Sequence, residues 1–390
     1  LVKFLASLDS PYEPRDYQYK AIAHGIENYR SILLSPTGSG KSFIIYNLMR
    51  YALEATQGNI LVIVPTTSLV EQMYKDFEDY GYDVGQYCHR IYSGKEKVTD
   101  KRIIISTWQS IYRFDHEWFE QFETVFGDEV HLFKAKSLST MMDKCTEAKY
   151  RFGLTGTLDG TETNKLVLEG LFGPTKKVIS TKELIDKNQL SAFNIKCLIL
   201  KHSDEVCKEM KDATYPDELK YLIESENRNR FIRNLAISLE KNTLVLFQMK
   251  KHGRALYEMI KQKANGRSVY FIDGDVDTVV REEVRKIMEI ENNPITVASF
   301  GTFSTGTNIR NLHNIIFAMP TKSSIRTLQS IGRGLRQSEG KEIATLYDIA
   351  DDLRYKKHMN YTLKHFVERT KIYNDEQFPF KIYKIGLKNA

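Results

Sequence analysis

Ser35-Pro36-Thr37-Gly38-Ser39-Gly40-Lys41-Ser42 stands between the apolar run Ile32-Leu33-Leu34 and the helix-forming stretch Phe43 to Arg50. Read outward from its centre, this is a strand, a tight loop of small residues and a helix. Small residues let backbone N–H groups close around a polyphosphate, and the N-terminus of the following helix adds positive potential. In that frame Lys41 neutralises the β- and γ-phosphates and Ser42 offers a hydroxyl to Mg²⁺. Ser35 takes the place of the glycine that opens the usual G-x-x-x-x-G-K-[ST] pattern, one small residue for another. A Gly/Ser turn that ends in Lys-Ser by chance would not need the flanking strand and helix, so the stretch points to nucleoside triphosphate hydrolysis.

The rest of the composition sets bounds. A chain of 390 residues is long enough for two or three domains, each with its own core. A hydrophobic share of 42% with 27% charged residues is that of a globular protein and excludes a largely disordered chain. Lys and Arg number 56 against 50 Asp and Glu, and the net charge of +6 permits a nucleic-acid partner without requiring one. Cys88, Cys145, Cys197 and Cys207 lie far apart with no C-x-x-C pair, and no zinc-ligand spacing joins them to histidines. No apolar stretch approaches the roughly 18 residues of a membrane span, so a reducing cytoplasm is the expected setting. The first residue is Leu, as expected of a fragment whose preceding segment is missing.

Short β-branched runs alternate with helical patterns at 31–34, 59–64, 102–106, 124–126 and 150–154. That rhythm is the signature of a parallel sheet with crossover helices. It breaks in the polar passage Lys176 to Asn194 and resumes at 195–200, 243–247, 268–272, 295–298, 314–318 and 342–346. The expected organisation is an α/β domain over 1–185, a second over 186–370 and a tail over 371–390. The charged run Asp204 to Arg233 ends in Arg228, Arg230 and Arg233, which fits a solvated helix face and a DNA contact equally.

Asp128-Glu129-Val130-His131 follows the apolar strand Thr124 to Phe126 and so falls at a strand's carboxyl end, where open α/β sheets bind ligands. Asp128 there can hold Mg²⁺ through water, opposite Ser42, while Glu129 orients and deprotonates the attacking water. Alone, Asp-Glu also fits an exposed acidic turn; following a phosphate loop gives it weight. His131 can sense the γ-phosphate or couple to the next element, or be structural. Leu154-Thr155-Gly156-Thr157 ends a further strand and is a weak signal alone. In the second half, Gln329-Ser330-Ile331-Gly332-Arg333-Gly334-Leu335-Arg336 puts two arginines on one helical face. Guanidinium forks suit the charge that builds on a transferring phosphoryl group; the alternative is a surface helix with local ion pairs.

Taken together, Arg15-Asp16-Tyr17-Gln18, Ser35 to Ser42, Val64-Pro65-Thr66-Thr67, Ser106-Thr107-Trp108-Gln109, Asp128 to His131, Thr155-Gly156-Thr157, Ser304-Thr305-Gly306-Thr307-Asn308 and Gln329 to Arg336 resemble, in order, the motifs of superfamily 2 helicases. The resemblance spans about residues 10 to 350, and within the superfamily it is to the recombination and fork-remodelling helicases of T-even bacteriophages. It implies two tandem RecA-like, P-loop NTPase domains with ATP and Mg²⁺ in the cleft between them. It implies that Gln18 reads adenine with Arg15 nearby and that Gly306 and Asn308 also contact nucleotide. Lys41 and Ser42 would hold phosphate and metal, Asp128 the metal and Glu129 the water, with Gln329, Arg333 and Arg336 on the γ-phosphate.

Pro65, Thr66, Thr107 and Trp108 in the first domain and Gln248, Lys250, Ser299 and Thr302 in the second would line the nucleic-acid track, with the Trp108 ring expected in the core. His131, Thr155, Gly156 and Thr157 would couple ATP state to strand movement. The activity implied is 3′-to-5′ DNA unwinding at branched DNA such as stalled forks, Holliday junctions, D-loops and R-loops. The chain would act as a monomer, with recombination or replication proteins as partners, in the cytoplasm of an infected host. An RNA helicase, an ATP-gated nucleic-acid clamp and a duplex translocase without strand separation are the competing readings. Gly127, where many relatives carry an apolar residue, and a long stretch over Ser299 to Asn308 are departures from the family pattern.

Overall fold

The computed structural model describes residues 1–387 apart from 93–95, 97, 134, 157, 159–161, 191, 305–310, 320–342 and 357. The chain divides into two compact units, Leu1–Ser180 and Thr181–Ala390, each built, among the described residues, on a seven-stranded sheet. The first holds β1 (Arg30–Leu34), β2 (Asn59–Val64), β3 (Cys88–Ile91), β4 (Ile103–Thr107), β5 (Phe122–Asp128), β6 (Tyr150–Thr155) and β7 (Thr175–Lys177) in the order β3-β4-β2-β5-β6-β1-β7. The second holds β8 (Ala192–Lys201), β9 (Thr243–Phe247), β10 (Val269–Ile272), β11 (Ile295–Ser299), β12 (Asn314–Phe317), β13 (Ile343–Asp352) and β14 (Phe380–Gly386) in the order β10-β11-β9-β12-β13-β8-β14. Counted from the first strand of each unit, the two orders are the same. Every strand pairing within the two sheets is parallel.

The continuous apolar strands have a physical cause, since a parallel sheet covered on both faces must be apolar on both. Along β2, Ile60, Val62 and Val64 enter one core cluster while Leu61 and Ile63 enter another, and β4 divides the same way between Ile103, Ile105 and Ile104. That is the period of two that sends successive side chains to opposite faces. Parallel pairing also brings all carboxyl ends to one edge. Val64 is in register with Thr107, Asp128 with Leu154 and Leu34 with Thr155, so the motifs that follow these strands meet along that edge.

The passage Lys176 to Asn194, expected to be a break, contains the end of β7, the helix Thr181–Asp186 and the start of β8. β7 and β14 are edge strands, and β3 is the edge strand opposite β7. Thr175-Lys176-Lys177 and Cys88-His89-Arg90-Ile91 carry no apolar run because an edge strand is half solvated. Residues 380–386, in the stretch set apart as a tail, pair with β8 along its length, Phe380 facing Ile195 through Gly386 facing Lys201.

Candidate functional site

The phosphate loop leaves β1 at Leu34, where the Ser35 N–H donates to the Thr155 carbonyl at 2.9 Å and ties the loop to the neighbouring strand. Gly38 and Gly40 have φ of 85° and 79°, a left-handed backbone that favours glycine. A Cβ on Gly40 would lie 2.4 Å from Gln18 Nε2, so the loop also needs glycine to let that amide approach. Inside the loop Ser35 and Ser39 share a hydroxyl bond of 2.6 Å, and Ser39 Oγ donates to the Pro36 carbonyl at 2.7 Å. The helix Lys41–Ala55 then starts with no side-chain cap on its N-cap Gly40. Its first N–H groups therefore lack the competitor that a Ser or Asp cap would supply, the condition for gripping phosphate.

Arg15 and Gln18 form a capping box on the helix Asp16–Asn28, with the Arg15 N–H donating to Gln18 Oε1 at 2.9 Å. Gln18 Nε2 and the Tyr17 hydroxyl both donate to the Ser39 carbonyl at 2.9 Å, and Arg15 Nη1 donates to Tyr17 at 3.2 Å. The Gln18 amide thus braces the loop and retains one donor and one lone pair, half its capacity. Tyr17 belongs to this brace although sequence reading gave it no role; its place inside Arg15-Asp16-Tyr17-Gln18 was the available signal.

Opposite the loop, the acidic turn leaves β5. Gly127 is required there: a Cβ would meet Val130 Cγ1 at 2.6 Å and Phe172 Cζ at 3.1 Å, so the departure from an apolar residue is what lets the turn fold back on the strand. Glu129 adopts φ 49° and ψ 47°, a left-handed conformation that costs a non-glycine residue on the order of 1–2 kcal/mol. In that pose Glu129 Oε1 lies 3.1 Å from Lys41 Nζ, which also reaches the Ser35 carbonyl at 3.4 Å. Glu129 Oε2 lies 3.5 Å from His131 Nδ1, and His131 Nδ1 bonds Thr155 Oγ1 at 2.5 Å. Lys41, Glu129, His131 and Thr155 form one connected chain of contacts across three strand ends, in which Glu129 Oε2 keeps no hydrogen-bond partner.

The two acids are driven apart electrostatically. Burial and then the neighbouring Glu129 charge push Asp128 up to about 7. Burial also works against ionisation of Glu129, but Lys41 and then His131 outweigh it and hold Glu129 below its ordinary value. An ionised carboxylate beside a carboxyl of raised pKa is the split expected of two acids with different jobs. Asp128 Oδ1 is buried without a hydrogen-bond partner. Among the described residues no three His, Cys, Asp or Glu side chains are arranged to hold a metal by themselves. Mg²⁺ that arrives with a polyphosphate needs only one or two protein groups, and the unpartnered Asp128 oxygen fits that requirement.

The residues expected on the nucleic-acid track fall on the carboxyl edges of equivalent strands. Pro65 and Thr66 follow β2, and Thr107 and Trp108 end and follow β4; Gln248 and Lys250 follow β9, and Ser299 and Thr302 end and follow β11. Thr66 caps the helix Thr67–Asp79 through the Leu69 N–H at 3.4 Å, and Thr107 shares a 2.8 Å hydroxyl bond with Ser110. Ser299 Oγ donates to Thr302 Oγ1 at 2.8 Å and accepts the Thr302 N–H at 3.1 Å. Gln248 and Lys250 are exposed, and Lys250 pairs with Asp275 at 2.5 Å. Trp108, expected in the core, is half-buried and packs on the cluster that contains Ile104 and Ile111.

Of the Arg228-Arg230-Arg233 group, Arg228 is fully buried on Asp351 and cannot face DNA; Arg230 pairs with Glu226 and Arg233 bonds the neutral Asn234. Gly156 follows β6, and its N–H helps hold Glu129 ionised. Thr157, Gly306, Asn308, Gln329, Arg333 and Arg336 lie outside the described residues.

Comparison with known proteins adds a lineage to this geometry. Residues 11–160 match the family described as Type III restriction enzyme, res subunit, and residues 226–338 match the helicase conserved C-terminal domain. The chain is 36% identical over 392 residues to the ATP-dependent DNA helicase uvsW of Enterobacteria phage T4, covering 96% of this chain and 78% of that one. It is 25% identical over 275 residues to the DNA 3'-5' translocase XPB2 of Sulfurisphaera tokodaii, covering 66% of this chain and 60% of that one. Among solved structures, the ATP-dependent Type ISP restriction-modification enzyme LlaBIII bound to DNA shares the fold with a TM-score of 0.70 at 16% identity, over 97% of this chain and 32% of its own.

Proposed function

The chain belongs to the superfamily 2 helicases, and from that premise we propose that it spends ATP to move 3′ to 5′ along DNA and unwind branched substrates. Stalled forks, Holliday junctions, D-loops and R-loops are the substrates meant. The observation that carries the reading is the connected chain Lys41–Glu129–His131–Thr155 beside a glycine loop with an uncapped helix start. It supports a site in which the phosphate lysine and the water-activating acid already face each other. Both the DNA helicase uvsW and the 3'-5' translocase XPB2 are relatives, which supports DNA as the polymer and 3′ to 5′ as the direction.

In this reading Lys41 and the loop N–H groups bind the β- and γ-phosphates, and Glu129 exchanges its pairing with Lys41 for the attacking water once phosphate occupies the lysine. Mg²⁺, when bound with the nucleotide, neutralises phosphate charge. Ser42 and Asp128 would hold it. Arg15 and Gln18 take the adenine, and Gly306, Asn308, Gln329, Arg333 and Arg336 keep the nucleotide and γ-phosphate roles that the family resemblance gives them. His131, Thr155, Gly156 and Thr157 relay the state of Glu129 to the end of β6. Hydroxyl and N–H groups at the ends of β2, β4, β9 and β11 grip backbone phosphates without reading sequence.

The protein is proposed to act as a monomer in the cytoplasm of an infected host, alongside recombination or replication proteins. The test is ATPase rate with single-stranded DNA, forked DNA, Holliday junction and RNA side by side, joined to strand displacement from substrates with a 3′ or a 5′ tail. Forked or junction DNA should stimulate most and only the 3′-tailed duplex should open. Preferential stimulation by RNA would move the substrate to RNA, and turnover without displacement would reduce the activity to translocation or clamping.

A further inference from the structure

Ser42 has a partner that the phosphate-loop pattern does not contain. Its hydroxyl lies 2.8 Å from the hydroxyl of Tyr80, on the first residue past the helix Thr67–Asp79. That helix ends in a Schellman turn: the Tyr82 N–H donates to the Phe77 carbonyl at 3.1 Å, the Gly81 N–H to the Glu78 carbonyl at 2.9 Å, and Gly81 has φ 88°. The turn fixes where the Tyr80 backbone stands. A Cβ on Gly81 would lie 3.3 Å from Pro11 Cδ, so the turn is also held from the outside.

The ring is fixed as firmly as the backbone. Tyr80 packs edge-on against Phe43 with centroids 4.8 Å apart and lies 5.3 Å from Tyr46, both on the phosphate-loop helix that carries Ser42. Tyr12 closes the third side at 5.8 Å. A tyrosine phenol is a neutral hydroxyl that can both donate and accept. A serine hydroxyl has one proton and two lone pairs. When a cation takes one lone pair, the polarised O–H becomes a stronger donor and needs an acceptor in a fixed place, and the Tyr80 oxygen is such an acceptor.

We propose that Tyr80 is a positioning residue of the ATPase site, holding the Ser42 hydroxyl in the rotamer that turns a lone pair toward the nucleotide-bound cation. The inference rests on the reading of Ser42 as a cation ligand. It assigns a role to a residue that lies 38 positions beyond the loop and outside every motif of the family pattern.

Tyr80→Phe removes the hydroxyl and keeps the ring packing. Equilibrium binding of a fluorescent ADP analogue, titrated with Mg²⁺, should need about three- to tenfold more Mg²⁺ for half-saturation in Tyr80→Phe, the range of one hydrogen bond. Affinity in EDTA should be unchanged. In a Ser42→Ala background the Tyr80→Phe substitution should add no further loss. An unchanged Mg²⁺ requirement, an equal loss in EDTA, or full additivity with Ser42→Ala would each overturn the inference while leaving the ATP site intact. If Ser42→Ala itself left the Mg²⁺ dependence unaltered, the cation-ligand reading would fall and take this inference with it.

Discussion

The two sheets run the same strand order, yet the chain does opposite things after the first strand of each. After β1 it turns through glycines into a helix whose N-cap, Gly40, offers no side chain. After β8 it runs His202-Ser203 directly into a helix that Ser203 caps itself, with Val206 N–H donating to its hydroxyl. Carboxylates on two strands that are not counterparts, β5 in the first unit and β13, the counterpart of β6, in the second, show a further contrast. In the first unit Asp128, at the end of β5, keeps a buried oxygen without a partner. In the second, Asp351 of β13 receives Arg228 Nε on both oxygens, at 3.0 and 2.9 Å, and pairs with His202 Nε2 at 3.0 Å, and Asp348 is held by Arg369 and Tyr373. One fold supplies a strand end whose carboxylate keeps an unpartnered oxygen and another strand whose carboxylate oxygens are all taken up internally, although Nη1 and Nη2 of Arg228 have no hydrogen-bond partner. Strand order therefore places a site but does not make one; the loop after the first strand and the partners of the carboxylates decide.

The largest expected effect tests the closed edge. Asp351→Ala leaves the fully buried Arg228 without its counter-charge and should cost about 3–5 kcal/mol in urea unfolding monitored on the second unit. A loss below about 1 kcal/mol would mean that the pair does not seal that edge. The open edge is tested by Lys41→Ala, which should lower DNA-stimulated turnover about 10²- to 10³-fold with an unchanged circular dichroism spectrum. Lys201, at the topologically equivalent strand end and exposed, is the control: Lys201→Ala should leave turnover as it was. Equal losses from the two substitutions would erase the asymmetry.

Much of this asymmetry was legible in the amino-acid order because a phosphate loop is a local device. Gly38, Gly40 and Lys41 are read from spacing alone, and the buried central strands announce themselves as apolar runs. The edge strands β3, β7 and β14 were not legible, since half-solvated strands such as Thr175-Lys176-Lys177 carry no such signal. The burial of Arg228 was not legible for a related reason: its partner Asp351 lies 123 residues away and joins it only through the sheet. Tyr80 is the same case at shorter range, a hydroxyl placed on Ser42 by a helix length and a Schellman turn that no loop pattern records.

A smaller effect sharpens the electrostatic side of the comparison. His252 is buried, donates its Nε2–H to Asn229 Oδ1 at 2.9 Å, and is pushed down to about 3 by burial and then by Arg228, with Asp351 opposing. The folded chain thus keeps His252 neutral while the unfolded chain protonates it below the ordinary value of 6.5. Stability from this residue is full above that pH and is lost as pH falls toward 3, by about 2–3 kcal/mol at pH 4.5 relative to pH 8. His252→Gln should remove that part of the acid sensitivity of the second unit, read as the difference in urea midpoint between the two pH values. A variant as acid-sensitive as the parent would assign the whole slope to carboxylates such as Asp351, which also loses its stabilising charge on acidification.

The smallest expected effect concerns the two helix starts themselves. Ser203 Oγ accepts the Val206 N–H at 3.5 Å, a long bond, so Ser203→Ala should cost about 0.5 kcal/mol, the low end for an N-cap, in the unfolding of the second unit. Its value lies in what it should not do. Freeing that N–H makes the second helix start resemble the uncapped start at Gly40, but without glycines at positive φ the preceding backbone cannot wrap a phosphate, and Asp204 follows the cap where Lys41 follows Gly40. Fluorescent ADP binding to Ser203→Ala should therefore keep the stoichiometry of the parent. A second equivalent of bound nucleotide would show that an uncapped helix start is sufficient for the site and that Gly38, Gly40 and Lys41 do not make it.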